Sequence, residues 1–356
     1  MVSVPRRRSG LAPTQPPALH TLPQVSQLVV DEESAGQRLD NYLMRLLKGV
    51  PKTLIYRIIR SGEVRINKGR AQADTRVAYG DVLRIPPLRT SSTSANPQTP
   101  TAPPSPPREF PVLLEDAALL AIHKPAGVAV HGGSGVSFGV IEQLRAARPG
   151  APLLELVHRL DRETSGILLI AKKRSALKAL QEQFRERETG KTYLAAVKGA
   201  WPQRLKVLDA PLVKYLLPDG ERRVRQTQRD DPEGMKSITL VKVLAEFQVA
   251  GQGFTLLAVT IKTGRTHQIR VHLASAGHPI AGDDKYGDFE LNRQLQSTGL
   301  KRMFLHAWKL QFTHPVDGQP VELVAPLPEE LQAWGGAGAM VDYNASSHNK
   351  YRKDVE

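Results

Sequence analysis

One acidic residue in the middle of the chain is flanked by cations. The segment 158–166 reads His-Arg-Leu-Asp-Arg-Glu-Thr-Ser-Gly, so that Asp161 lies between Arg159 and Arg162. Two guanidinium groups beside one carboxylate favour its ionised form, and an ionised aspartate can serve as a nucleophile or as a base. A loop salt bridge without a chemical role would use the same residues, so this segment alone leaves both interpretations open.

Two further segments supply polar side chains of suitable types. An apolar run at 167–171 predicts a buried strand, so Asp161 would lie in the loop that enters it. Tyr193 stands near the start of another predicted strand, and Arg265 stands in a strand-to-helix turn. A strand tyrosine is usually core filler. Together, however, a carboxylate, an aromatic hydroxyl and a guanidinium suit a nucleic-acid base held out of its stack.

The composition indicates the partner class. The chain has 356 residues and a formal net charge of +14, which would attract polyanions, nucleic acid first among them. It has no cysteine, hence no disulfides and no thiolate chemistry. The longest apolar run, 117–122, has six residues and predicts no membrane span, and prolines interrupt any signal-peptide pattern after the first arginines. These features predict a cytoplasmic protein.

Composition shifts divide the chain into five parts. The predicted order is a disordered basic arm at 1–24, a small α+β RNA-binding unit at 25–87, a Pro/Ser/Thr-rich linker at 88–108, a larger α+β domain at 109–335 and a flexible tail at 336–356.

One stretch of the small unit, residues 36–70, is strongly basic. Apolar spacing predicts two helices, at 39–47 and from Pro51 to about 60, followed by paired strands at 63–67 and 81–85. Residues 36–70 hold nine Lys or Arg and two acidic residues, a net charge of +7. A charge run is usually a solvated face, but this density favours phosphate contacts. The candidate RNA-binding residues are Arg38, Arg45, Lys48, Lys52, Arg57, Arg60, Arg65 and Lys68.

The larger domain mixes strands and helices irregularly. This pattern favours an α+β domain with a largely antiparallel sheet over regular βαβ winding. Strand-like runs lie at 117–122, 167–171, 193–197, 254–261 and 303–312, and helical stretches lie near 138–147, 175–188 and 267–276.

No motif indicates a cofactor or a metal. Gly190-Lys191-Thr192 resembles the end of a P-loop, but the required earlier glycine is replaced by Arg185, and no Gly-x-Gly-x-x-Gly motif occurs. His267 and His272 are about 140° apart around a helix, too far to share a metal. Asp283-Asp284, which could suggest a magnesium site, is more typical of a turn. We therefore predict chemistry from side chains alone.

Three segments together resemble a known family. Segment 158–166, Lys191-Thr192-Tyr193 and segment 264–270 are similar to the three signature segments of the RluA-type pseudouridine synthases. Segment 131–142 is similar to the RluC branch, which modifies large-subunit ribosomal RNA, and 25–87 resembles the S4 RNA-binding domain. The resemblance implies a pseudouridine synthase fold with a mostly antiparallel mixed sheet behind an S4-like unit.

The resemblance also implies residue roles. Asp161 would be the catalytic carboxylate, attacking ribose C1′ or taking a proton from C2′, and Arg265 would pair with it. Tyr193 would stack on the base, and its hydroxyl would help to remove the C5 proton. Arg159 would fill the vacancy left by the flipped uridine, and Ile269 would form an apolar wall. No cofactor is implied, because one carbon–nitrogen bond is exchanged for a carbon–carbon bond.

The implied function is isomerisation of specific uridines in 23S ribosomal RNA, free or in pre-50S particles, by a monomeric enzyme. The alternative is a non-catalytic RNA-binding ribosome-assembly factor, which would leave the three candidate catalytic residues without a purpose. A magnesium nuclease would need clustered acids that the sequence lacks.

Overall fold

The computed structural model describes residues 25–47, 50–88, 105–132, 138–218 and 220–335. The chain divides into two compact units, Met1–Thr101 and Ala102–Glu356. The predicted arm, the predicted tail, most of the predicted linker and Lys48 lie outside the described residues.

The N-terminal unit packs two helices on a small sheet of order β1-β4-β2-β3, in which all pairs are antiparallel. The predicted helices are present, and the predicted strands pair through β2 and β4. The elements are β1 Ser26–Val29, a 3-10 turn Glu32–Ser34, α1 Leu39–Leu46, α2 Lys52–Arg60, β2 Arg65–Ile66, β3 Gly69–Arg70 and β4 Val82–Ile85.

Apolar spacing decides which face of each helix is buried. Leu39 and Leu43 of α1 and Ile55 and Ile58 of α2 are at most 2 % exposed and share one core with the sheet. Because the apolar stripe of each helix faces this core, the basic side chains of α2 must lie on its solvent face.

The second unit contains the remaining twelve strands and five helices of the described chain. Its strands are β5 Val112–Glu115, β6 Leu119–Lys124, β7 Glu155–Leu156, β8 Ser165–Ala171, β9 Gly190–Lys198, β10 Val207–Asp209, β11 Leu212–Leu216, β12 Arg222–Gln226, β13 Ile238–Val249, β14 Gln252–Ile261, β15 Leu305–Thr313 and β16 Pro320–Val324. Its helices are α3 Val140–Ala147, α4 Arg174–Glu186, α5 Gln268–Ser275, α6 Phe289–Ser297 and α7 Glu329–Gly335.

Ten of these strands form one sheet. The main order is β10-β13-β14-β9-β15-β8-β6-β5, with β16 beside β15 and β7 beside β8. Among the described pairs, β8 with β15 is parallel and the others are antiparallel. This confirms the predicted α+β class and its mostly antiparallel sheet. The separate hairpin of β11 and β12 was not predicted.

Strand β8, which follows the candidate aspartate loop, is buried along its whole length. Its successive side chains enter two different cores, one shared with α4 and the other with α3. Gly166 has φ of 113°, and a Cβ there would lie 2.2 Å from the carbonyl oxygen of Ala307 on β15. Only glycine permits this close approach, so the exit of the loop has a fixed position.

Candidate active site

The Asp161 loop, residues 157–164, joins β7 to β8 and is fastened to the end of β6. The Nζ of Lys124, which is fully buried, donates to the carbonyl oxygens of Pro125 (2.8 Å), Val128 (2.7 Å) and Arg162 (3.0 Å). Burial lowers the pKa of Lys124 to about 7. The contact to the carbonyl of residue 162 holds the loop immediately after Asp161.

His158 anchors the other end of the same loop. Its Nε2 accepts from the backbone N–H of Leu169 (3.1 Å), and its ring stacks on Phe184 at a centroid distance of 4.8 Å. Burial lowers the pKa of His158 to about 4, so the imidazole is neutral near pH 7. This histidine is therefore structural. The side chain of Asp161 itself is 21 % exposed.

The cation that faces Asp161 is Arg270, in the first turn of α5. Its NH1 lies 3.5 Å from Asp161 Oδ2, and its side chain is 3 % exposed. Its Nε and NH2 donate to Oδ2 and Oδ1 of Asp283 (2.8 and 2.6 Å), and NH2 also reaches Asp284 (3.0 Å). Burial opposes the charge of Arg270, but these carboxylates outweigh it and raise its pKa.

The predicted pairing of Arg265 with Asp161 is wrong. The Nε of Arg265 donates to the carbonyl oxygen of Lys236 (3.3 Å), and it is Arg270 that forms the ion pair with Asp161. Gln268 explains the orientation. Its Oε1 accepts from the backbone N–H of Arg265 (3.1 Å), and its Nε2 donates to the carbonyl oxygen of Ile238 (3.0 Å). The turn is thus fixed against β13. The side chain that enters the interior is that of Arg270, two residues after Gln268.

The two arginines adjacent to Asp161 in sequence do not pair with it either. Arg162 binds Glu163 (2.7 Å), and Arg159 is exposed and has no ion pair among the described residues. Side chains of successive loop residues point in different directions, so an arginine close to Asp161 in sequence need not form an ion pair with it.

His267 is the second group that faces the carboxylate. Its Nε2 lies 3.8 Å from Asp161 Oδ2, and its Nδ1 lies 2.8 Å from the hydroxyl of Tyr286. Its φ of 52° is left-handed, an uncommon conformation at which histidine is enriched. Burial lowers its pKa, although the charge of Asp161 acts in the opposite direction.

Tyr193 on β9 lines the same cavity as these groups. Burial, and then the charge of Asp161, raise the pKa of its hydroxyl, which is therefore neutral. The cavity has a volume of about 110 Å³, enough for several waters and hence for a small planar ring. Its lining includes Asp161, Tyr193, Ile261, Ile269, Arg270 and Leu305, with Arg159 and Arg265 also contributing.

This arrangement can bind a flat ring between an aromatic side chain and apolar walls. The ring would lie next to a carboxylate whose partner is one buried guanidinium. A carboxylate so placed is suited to attack, or to take a proton from, the sugar attached to such a ring.

Comparisons with known proteins agree with this geometry. Residues 118–275 match the family RNA pseudouridylate synthase, and residues 37–83 match the S4 domain. "Ribosomal large subunit pseudouridine synthase C" of Pasteurella multocida (strain Pm70) is 50 % identical over 88 % of this chain and 94 % of its own length. The protein of the same name from Escherichia coli (strain K12) is 51 % identical, over 87 % and 95 %. The chain belongs to the RNA pseudouridylate synthase family.

A solved structure supports the fold of the synthase. "Human RNA Pseudouridylate Synthase Domain Containing 1" superposes with a TM-score of 0.54 at 26 % identity, covering 66 % of this chain and 92 % of that one. The family identifies an enzyme, a pseudouridine synthase, and nothing in these comparisons supports a non-catalytic RNA-binding factor.

Sequence reasoning missed four residues around the carboxylate of the synthase: Arg270, Asp283, His267 and Tyr286. Asp283 does form a turn, accepting from the backbone N–H of residues 285 and 286, but it also binds Arg270. One signal was available. An arginine between Ile269 and Val271 at a predicted helix start needs a carboxylate partner when it is buried, and the chain offers two acids shortly after α5.

Two further properties concern the described ranges. Within them, no group of three or more His, Cys, Asp or Glu side chains is placed to hold a metal ion. None of their helices combines the length and apolar composition needed to span a membrane.

The basic residues of the N-terminal unit fall into two groups. Lys52, Arg57, Arg60, Arg65 and Lys68 are exposed. Two others have partners inside the unit. Arg38 binds the buried carboxylate of Asp40 through Nε and NH2 (3.1 and 2.8 Å), which lowers the pKa of Asp40. Arg45 donates to Ser34 Oγ (2.5 Å). Arg38 and Arg45 therefore help to stabilise the N-terminal unit through these contacts.

Proposed function

We propose that this synthase converts specific uridines of 23S ribosomal RNA to pseudouridine. The observation that carries the proposal is the pairing of the buried Arg270 with Asp161 beside a cavity that Tyr193 lines. The names of the relatives, which specify the large ribosomal subunit, support the choice of RNA.

Asp161 is the proposed catalytic carboxylate. It attacks ribose C1′ or removes the C2′ proton, the bond from C1′ to N1 breaks, and the uracil turns within the cavity. The bond from C1′ to C5 then forms, while the bond from Asp161 to C1′ breaks or the C2′ proton is returned. The C5 proton leaves to solvent or to a base, and N1 takes up a proton. Electrons balance without a redox partner. Arg270, in place of Arg265, pairs with the carboxylate and holds it in position.

The other cavity residues take positioning roles in this proposal. Tyr193 stacks on the uracil, and its hydroxyl, which is neutral, can take part in the C5 proton transfer. Ile269, which lines the cavity, forms an apolar wall. Arg159 is exposed at the cavity rim, where a planar cation can replace the flipped base in its stack. Arg265 contributes to the rim without touching the carboxylate.

The N-terminal unit is the proposed docking element for RNA. Exposed cations on α2 and on the following strands form a surface that can neutralise phosphates without reading bases. We also propose that the substrate is 23S RNA or a pre-50S particle in the cytoplasm. A monomer suffices for this function, because the residues of the cavity come from one chain.

The decisive experiment uses purified protein and in vitro transcribed 23S ribosomal RNA labelled at uridine C5 with tritium, with and without a chelator. Tritium release with pseudouridine at a few fixed positions is the expected result. RNA retention without release would mean a binding factor, and metal-dependent cleavage would mean a nuclease; either result contradicts the proposal.

A further inference from the structure

Tyr286 has a hydroxyl group with two partners in the active site. Its oxygen lies 3.0 Å from the backbone N of Val224 on β12 and 2.8 Å from Nδ1 of His267. A backbone N–H can only donate, so the hydroxyl oxygen accepts from Val224. The hydroxyl also has one hydrogen to donate, and Nδ1 of His267 is the acceptor that it reaches among the described residues, so we assign this hydrogen to the imidazole.

This direction determines the tautomer of His267. A neutral imidazole carries one N–H, and a nitrogen that accepts a hydrogen bond cannot be the protonated one. Nδ1 accepts from Tyr286, so the N–H is at Nε2. Nε2 is the atom that faces Asp161 Oδ2 at 3.8 Å. The ring thus presents a neutral donor to the carboxylate.

The ring of Tyr286 is held from several sides. The guanidinium of Arg270 lies 5.2 Å and that of Arg223 lies 5.9 Å from its ring centroid. The ring packs with Val224 and with the buried Val271 of α5, and its backbone N–H donates to Asp283 (3.0 Å). The hydroxyl is therefore fixed in position, and it in turn supports the left-handed backbone of His267.

We propose that Tyr286 is a positioning residue whose hydroxyl locks His267 in its Nε2–H tautomer, so that a neutral N–H donor faces Asp161 during the reaction. The inference rests on the proposed catalytic role of Asp161. A neutral donor steadies the carboxylate without adding a second positive charge that would weaken it as a nucleophile or base. In the other tautomer, an imidazole lone pair would face the carboxylate and repel it.

The distance of 3.8 Å in the free protein exceeds a hydrogen bond, and catalytic hydrogen bonds commonly shorten once substrate is bound. Bound uridine would exclude water from the cavity and strengthen the contact. The hairpin of β11 and β12 takes part through the N–H of Val224, so the tautomer depends on the hairpin remaining docked.

The first test compares two substitutions of the same kind. Tyr286→Phe keeps the ring and its packing but removes the hydroxyl. Tyr215→Phe, on β11, is the control, because its exposed hydroxyl has no hydrogen bond among the described residues. With saturating 23S transcript, Tyr286→Phe should lower the single-turnover rate by about tenfold or more while affinity changes less than about twofold. Tyr215→Phe should change neither.

The second test observes the tautomer directly. Nitrogen-15 spectra of histidine-labelled protein distinguish Nδ1–H from Nε2–H, and His267→Asn assigns the resonance while tolerating the left-handed backbone. Wild type should show protonated Nε2, and Tyr286→Phe should show a substantial Nδ1–H population. The variant that combines Tyr286→Phe with His267→Asn should be no slower than His267→Asn alone, because both substitutions break the same hydrogen bond.

An unchanged tautomer in Tyr286→Phe, a wild-type rate, or additive losses in the double variant would overturn the inference. The spectra need no turnover, so they separate this inference from the proposed function, which an active Asp161→Asn variant would overturn instead.

Discussion

The two units of the synthase use arginine in opposite ways. On α2 of the N-terminal unit, Arg57 and Arg60 are exposed and have no ion pair among the described residues. In the catalytic unit, Arg270 is 3 % exposed and is surrounded by carboxylates. Exposed charges interact weakly and are screened by salt, whereas a buried charge is fixed in direction and costly to leave unpaired.

This difference separates docking from chemistry. Docking should be distributed over many cations, tolerant of single losses and dependent on salt. Chemistry should depend on a few buried groups and be insensitive to salt.

Asp161→Asn should lower the rate of turnover by roughly 10³-fold or more, while RNA affinity stays close to that of the wild type. The amide keeps the shape but is neither nucleophile nor base. Single-turnover pseudouridine formation and filter binding measure the two quantities. Glu163→Gln, in the same loop, is the matched control and should retain turnover. Measurable turnover by the Asn variant would remove Asp161 from the chemistry.

Arg270 and Arg265 can be compared by one conservative substitution each. Arg270→Lys should lower the single-turnover rate by about 10²-fold, because lysine cannot bind Asp283 through two nitrogens and still reach Asp161. It should also reduce thermal stability, since Asp283 is buried. Arg265→Lys should have a much smaller effect on both, because its guanidinium contacts only a backbone carbonyl. Equal losses would favour the pairing of Arg265 with Asp161 that the sequence predicts.

For Tyr193, the ring and the hydroxyl have separable roles. Tyr193→Phe keeps the stacking surface and should bind RNA normally, but the single-turnover rate should fall by about 10²-fold if the hydroxyl transfers a proton. Quenched reactions analysed for a rearranged but unfinished nucleoside locate the blocked step. A rate equal to wild type would leave Tyr193 with stacking alone.

Acid should unfold the catalytic unit before the N-terminal unit. Burial lowers the pKa of His158 to about 4 and that of His306 to about 3, from about 6.5 when unfolded. Below pH 6.5 the unfolded state therefore binds protons that the folded state does not. The free energy of unfolding consequently decreases as the pH is lowered. Each histidine lowers the free energy of unfolding by up to about 1.4 kcal/mol for every pH unit below 6.5. For His158 this loss stops near pH 4, where the folded state also takes up the proton.

Residues 25–88 contain no histidine, so the N-terminal unit lacks this sensitivity. Its buried Asp40 has a lowered pKa, and the stability it contributes is lost only as pH falls below about 4. Hydrogen exchange between pH 7 and 4.5 can follow each unit separately. Earlier loss of protection in 25–88 than in 105–335 would contradict the prediction.

The smallest effect concerns docking. Replacing Lys52, Arg57 and Arg60 by glutamine should weaken RNA binding and flatten the dependence of log affinity on log salt, by about 0.7 to 0.9 for each phosphate that the variant no longer neutralises. The rate with saturating RNA should not change. Arg204→Gln with Lys206→Gln, exposed cations of the catalytic unit, is the comparison. Equal slopes in both variants would mean that docking charge is not concentrated on α2.

The sequence was sufficient where the signal is local. Apolar periodicity predicted α1 and α2, the unbroken run at 167–171 predicted the buried strand β8, and the three signature segments predicted which elements meet at the cavity. Each of these signals is contained in a few consecutive residues. Regular backbone hydrogen bonding, together with burial of one face, then leaves little choice of structure.

The tertiary structure alone decided the charge pairs. Four arginines, Arg159, Arg162, Arg265 and Arg270, lie in the signature segments. The sequence predicts Arg265 as the partner of Asp161, but of these four it is Arg270 that faces the carboxylate. The choice depends on Gln268, which fixes the turn before α5, and on Asp283, thirteen residues after Arg270, which occupies two of its nitrogens. Such pairing is determined by how a helix and a distant loop pack together in three dimensions. A local pattern can indicate that Arg270 needs an acidic partner, but it does not indicate which arginine faces Asp161.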